Sequence, residues 1–365
     1  MTPPELNDMN SPSAIEPIIE PALPIVDPHH HLWFRPEALL TALEREESLM
    51  ARTLLPTFRR HARYLFDEFL ADLKSGHNVR ATVYVEVHTM YRARGPESLQ
   101  PVGEVEFANG MAAMAASGLF GDVAMCAGIV GSVDLRLGDA SKDVLLAHMQ
   151  AGGGRYRGIR AKAVVYDSDP NVLGPNLGGV PHLLLDREFR SGFKHLEPLG
   201  LSYDAWQLEY QLPELIDLAR AFPYTQIIVN HAGGLFGIGR YSGRTEQRFA
   251  QWRDNIKALS QCANVTIKLG GLGMPTCGFR ASTASTPPGS AELAREWRPY
   301  IETCIEAFGA DRCMFESNYP VDAATTSYRV LWNAFKRIVS GASPHEKTAL
   351  FGGTATRVYR LDLSD

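Results

Sequence analysis

Eight short β-rich segments recur along this chain, and stretches with helical spacing lie between them. The segments cover residues 24–29, 80–88, 123–130, 156–165, 200–206, 225–231, 264–269 and 312–317. In VGEVEFANGMAAMAASG, QLPELIDLARAFP, FAQWRDNIKALSQC and ELAREWRPYIETCIEAFG, apolar residues return every three or four positions, which gathers them on one helix face. Strands alternating with helices imply parallel βαβ units. Eight such units predict an α/β fold, a single-domain (β/α)8 TIM barrel, with an open doubly wound sheet as the structural alternative. Three connections that follow strands are long: 35–73, 166–194 and 270–292. In a barrel they would lie on the C-terminal face, and the last, flanked by glycines, is expected to serve as a lid.

Composition narrows the class. Of 365 residues, 45% are hydrophobic and 21% charged, which fits a folded globular chain. Lys plus Arg is 36 against 41 for Asp plus Glu, a net charge of -5, so nucleic acid is not an expected partner. The five cysteines are widely spaced and form no CxxC pair, which points to a reducing, cytoplasmic setting and away from a zinc ribbon. No apolar run reaches the ~20 residues of a membrane span. Residues 1–22, polar and Pro-rich, are expected to be a flexible tail before the domain at 23–365. A homodimer is the expected assembly, since closed pairs are the commonest soluble oligomers.

The chemistry concentrates where strands end. In IVDPHHHLW, strand alternation puts His29 and His31 on one side and His30 on the other. Two such histidines at the end of a first barrel strand suit one metal ion or one polarised oxygen. QIIVNHAGG ends the sixth strand, with His231 facing the barrel axis. RCMFESNYPVD carries Glu316 and Asn318 on one face, with Asp322 just beyond. VYVEVHTMYR sets Tyr84, Glu86 and His88 on one face, a polar stripe where buried strands are usually apolar. Arg160 in RGIRAK and Lys268 in VTIKLGG are cations on buried strands. Each needs a partner, either a structural carboxylate such as Glu86 or a carboxylate on the substrate. Arg240 and Tyr241 lie in a Gly-rich loop near the mouth; that loop lacks the spacing of a phosphate-binding turn.

Four anchors, DPHHHLW, LSYDAWQLEYQLPEL, VNHAGG and RCMFESNYPVD, resemble the amidohydrolase superfamily. The branch is the TIM-barrel metal-dependent hydrolases that include sugar lactonases and pyrone-dicarboxylate lactonase. By that resemblance, His29 and His31 match the strand-one pair and His231 the strand-six histidine. Two positions depart from the pattern. Asn318 stands where the family has an Asp that binds metal and acts as base, and an amide cannot take up a proton at neutral pH. Glu209 stands near the place of the strand-five histidine. The resemblance therefore implies one divalent metal, zinc first, on His29, His31, Glu209 and His231, or a metal-free site.

The expected activity is hydrolysis of a lactone or related cyclic ester carrying a carboxylate or hydroxyls. Water would be activated by Glu316, Glu209 or Asp322, and the carbonyl polarised by histidines or the metal. Glu86, His88, Arg160, Lys268, Arg240 and Tyr241 are the expected substrate contacts. The alternative is a metal-dependent decarboxylase of an aromatic or unsaturated acid, and a binding protein on a degraded barrel ranks third.

Overall fold

All eight barrel strands pair in parallel and in chain order: β1 (Pro24–His30), β2 (Asn78–Val85), β3 (Ala124–Gly131), β4 (Tyr156–Arg160), β5 (Ser202–Ala205), β6 (Ile227–Val229), β7 (Val265–Leu269) and β8 (Cys313–Phe315). The computed structural model describes residues 16–284 and 286–363. Two backbone hydrogen bonds close the ring from β8 back to β1. The N–H of Asn318 donates to His29 O at 2.9 Å, and that of His31 to Tyr319 O at 2.7 Å. The open doubly wound sheet is thereby excluded.

Helices cover the outside because their apolar faces match the strands. The four expected helices form as Val102–Ala116, Leu212–Ala221, Thr245–Ser260 and Ser290–Phe308. Trp252, Trp297 and Trp332 are almost fully buried in the layer between helices and strands. The segment read as 156–165 leaves the sheet early, at Arg160, because Lys162–Val164 turn into a 3-10 helix. The long connections hold structure of their own. Helices Glu37–Arg45, Leu49–Arg60 and Phe66–Leu73 occupy the first, and Pro170–Leu177 and Arg187–Phe193 the second. The third carries the short turns Pro275–Cys277 and Arg280–Thr283.

Inside the barrel, Val26, Ala81, Val83, Val85, Val130, Ile228 and Met314 form a second apolar cluster with Val358, Tyr359 and Leu361 from the chain's end. That end crosses the N-terminal face of the barrel. Thr354 and Arg357 hydrogen-bond the carbonyls of Ala310 and Asp311, just before β8, and Arg360 bonds Gly200 O, just before β5. The barrel thus has an apolar floor and keeps its polar groups for the opposite face.

The expected tail is anchored where it is described, and residues 1–15 lie outside the described residues. Asn333, on helix Tyr328–Ile338, accepts from the N–H of Ile19 and donates to Pro17 O, both at 2.9 Å. Lys336 donates to Ile19 O at 2.8 Å and Glu20 O at 2.9 Å.

Candidate active site

The pleat of β1 sends His29 and His31 inward together, with ring centroids 4.9 Å apart. His30 points outward, stacks on Phe69 at 4.1 Å and contacts Thr82 Oγ1 at 2.9 Å. At the end of β6 the chain turns sharply, and His231 adopts φ 54°. Its ring centroid comes within 4.7 Å of that of His29. Two glycines after β7 make room. A Cβ on Gly270 would meet the Glu316 side chain at 2.4 Å, and one on Gly271 would meet the His231 ring at 2.4 Å.

Glu316 joins the histidines. Its Oε1 accepts from His231 Nδ1 at 2.7 Å and from the His231 backbone N–H at 3.0 Å. Its Oε2 lies 2.7 Å from His29 Nδ1 yet receives no well-directed hydrogen bond. His31 Nδ1 donates to Val85 O at 2.7 Å, which leaves its Nε2 as a lone pair.

Both interior cations already have carboxylates. Arg160 Nε donates to Glu86 Oε1 at 2.7 Å, with its guanidinium 5.3 Å from the centre of the Trp206 ring. Lys268 Nζ donates to Asp204 Oδ1 at 2.7 Å. The sequence offered Glu86 as a partner for either cation; the structure gives it to Arg160 and gives Lys268 to Asp204. The same two cations flank His29, with Lys268 3.2 Å from Nδ1 and Arg160 3.4 Å from Nε2. Burial, helped by these charges, holds the His29 pKa well below the usual histidine range; burial and Arg160 do the same for His31.

Among the described residues, these pairings leave the buried Glu316 carboxylate with the rings of His29 and His231 and the His231 backbone N–H as partners, and no Lys or Arg. A buried charge of that kind calls for a cation. His29, His231 and Glu316 offer ligand atoms within 4.8 Å of one another, and among the described residues they are the group so placed. With Oε2 unused, the donor set fits a divalent metal ion. The structure brings Glu316, and not Glu209, to the two histidines.

The other expected residues stand as follows. Glu209 forms a two-point pair with Arg248, at 2.7 and 2.8 Å. Asn318, at φ 53°, donates to Asp322 Oδ1 at 2.7 Å. Asp322 is buried and also accepts the Gly273 N–H at 2.8 Å, and burial pushes its pKa well above the usual carboxylate range. Arg240 and Tyr241 both bind Asp167, with the tyrosine OH donating at 2.6 Å. His88 lies 3.3 Å from Glu86 Oε2 and lines a cavity of about 830 Å³ together with Tyr91, Ser132 and Asp134. Asp204, Asp167, Arg248 and Tyr359 were missed as members of these networks. Only Asp204 carried a signal, as a carboxylate interrupting the buried strand in LSYDAW.

The amidohydrolase family model matches residues 26–361. The chain is 34% identical over 338 residues to the uncharacterized protein y4mH of Sinorhizobium fredii, covering 92% of this chain and 98% of that protein. It is 29% identical over 177 residues to the L-fucono-1,5-lactonase of Burkholderia multivorans, covering 48% of this chain and 57% of that enzyme. An amidohydrolase from Burkholderia multivorans, crystallised with bound zinc, superposes with a TM-score of 0.67 at 22% identity, over 93% of this chain and 99% of that one. Among the described residues, no helix is long and apolar enough to cross a membrane.

Proposed function

The chain belongs to the amidohydrolase family, and from that premise we propose that it hydrolyses a lactone or related cyclic ester. The observation that carries this reading is Glu316, a buried carboxylate that binds His231, touches His29 and, among the described residues, has no Lys or Arg partner. His29, His231 and Glu316 would hold one divalent ion, and nitrogen and oxygen donors of this kind favour zinc. When bound, the ion supplies Lewis acidity to a carbonyl oxygen. The lactonase relatives support a cyclic ester as substrate.

The protein's own groups divide the remaining work. Glu209 is committed to Arg248 and Glu316 to the histidines. Asp322 is left to take the proton from water, and its raised pKa suits that exchange. The water oxygen bonds to the lactone carbonyl carbon, the ring C–O bond breaks, and the proton held by Asp322 passes to the departing alkoxide. The product is the open hydroxy acid. Burial, with Lys268 and Arg160 beside it, keeps His29 neutral, so one ring nitrogen keeps its lone pair. All five cysteines are buried and unpaired, which supports a reducing cytoplasm as the working compartment.

A pH-indicator assay over aldonolactones, muconolactones and pyrone carboxylates, with and without chelator, tests the reading. Acid release from a lactone is the expected result, and its loss on chelation would support the metal. Carbon dioxide release from aromatic acids, with no lactone opened, would overturn lactone hydrolysis in favour of decarboxylation.

A further inference from the structure

The end of the chain reaches the site from the opposite end of the barrel. Tyr359 is fully buried among the valines of the barrel floor. Its hydroxyl lies 2.9 and 3.0 Å from the two oxygens of Asp204. Asp204 also accepts from Asn230 Nδ2 at 2.9 Å and from Lys268 Nζ at 2.7 Å. The ammonium of Lys268 stands 3.2 Å from His29 Nδ1 and 5.3 Å from the centre of the Tyr359 ring. One tyrosine therefore touches both members of the ion pair that borders the histidines.

We propose that Tyr359 is a positioning residue of the active site, fixing Asp204 so that the Lys268 ammonium is held against His29. The inference rests on the site reading given above but not on the identity of the substrate. Burial and the neighbouring carboxylate keep the phenol protonated, so it donates to Asp204. A buried carboxylate needs its lone pairs filled, and each donor restricts its rotation. Without the hydroxyl, Asp204 is held only by Lys268 and Asn230. The carboxylate is then free to turn, and Lys268 moves with it. Residues at the N-terminal end of a TIM barrel ordinarily serve stability alone. Here the floor passes a directional contact up to the catalytic face.

The test is Tyr359→Phe, which removes one oxygen and keeps the ring that fills the barrel. Two readouts are taken from the full-length protein: steady-state kinetics on a lactone it opens, and the ¹⁵N signals of the histidine side chains. The expected result is a fall in kcat of about tenfold with KM nearly unchanged, the range seen when a group that orients an active-site residue is lost. The His29 signals shift and those of the distant His148 do not. para-Aminophenylalanine at position 359 restores a donor and returns both readouts toward wild type. His29 signals that coincide with wild type in Tyr359→Phe would overturn the proposal and leave Tyr359 as packing. If Tyr359→Phe does not fold, Asp204→Asn is read for the same shift, and unmoved His29 signals there overturn it equally. A shift of His29 in a protein that opens no lactone would uphold this inference while sinking the lactone reading.

Discussion

Asn318 donates its side-chain N–H to Oδ1 of Asp322 at 2.7 Å. A carboxylate four positions after Asn318 is thus held in place by its amide. Asp322→Asn preserves the shape and removes the proton acceptor. A general base contributes ~10²–10⁴ in rate, so kcat should fall by that order while the folded structure persists. Wild-type activity should be lost as pH drops through the raised pKa of Asp322, and the variant should lose that acidic limb. A variant with full kcat would place the base elsewhere.

Metal content follows from Glu316. One equivalent of zinc per chain is expected by elemental measurement, and dialysis against chelator should remove it together with lactone turnover. Glu316→Gln keeps the volume but loses the charge, and metal affinity should weaken at least ~10–100-fold, the cost seen when carboxylate partners of a metal site are lost. Equal zinc affinity in Glu316→Gln and wild type would remove Glu316 from the metal centre.

Glu209 and Arg248 form a largely buried ion pair outside the His29–His231–Glu316 group. Arg248→Met strands a buried carboxylate and should cost about 3 kcal/mol of stability in chemical denaturation. Adding Glu209→Gln should recover part of that loss. Neither variant should change zinc content, and a loss of zinc in Glu209→Gln would restore Glu209 to the ligand set.

His148 supplies a pH test far from the chemistry. It is buried, neither ring nitrogen finds a hydrogen-bond partner among the described residues, and burial pushes its pKa down to about 4. The unfolded chain binds that proton near pH 6.5. The stability it contributes is therefore present above about 6.5 and lost as pH falls toward 4. At pH 5 the loss is roughly 2 kcal/mol. His148→Met should flatten this part of the stability curve, and an unchanged slope would assign it to other groups.

Gly271, at φ +66°, packs against the His231 ring. Gly271→Ala should displace His231, lowering kcat and zinc affinity together, whereas Gly110→Ala, on an open helix surface, should leave both intact.

Much of the fold was legible because strand and helix periodicities are local. All eight strands and the four helices named from the sequence are present, and errors fell at ends such as 160–165, where β pairing gives way to a turn. His29 was legible because alternation along β1 fixes its face, whereas His231 and Glu316 lie just past the ends of β6 and β8, where a turn and not the pleat sets their direction. Pairings across the barrel were legible only in part, since Glu86 was offered to either cation and the structure gives it to Arg160. Lys268 and Asp204 lie 64 positions apart, and Arg160 and Glu86 lie 74 apart. A cation on a buried strand announces that it needs a carboxylate without saying which. Nothing local in the sequence tells that Tyr359 will enter the barrel.

The ring closes between its first strand and its last, through the bonds from His31 to Tyr319 and from Asn318 to His29. Translation at ~5–20 residues per second makes β1 wait a good fraction of a minute for β8 to be synthesised. Throughout that interval the edge of β1 that meets β8 has no strand to pair with. Glu316 is synthesised long after the histidines of β1, so the site is completed only once β8 has emerged. A nascent chain stalled before residue 316 should carry the histidines without the carboxylate that organises them.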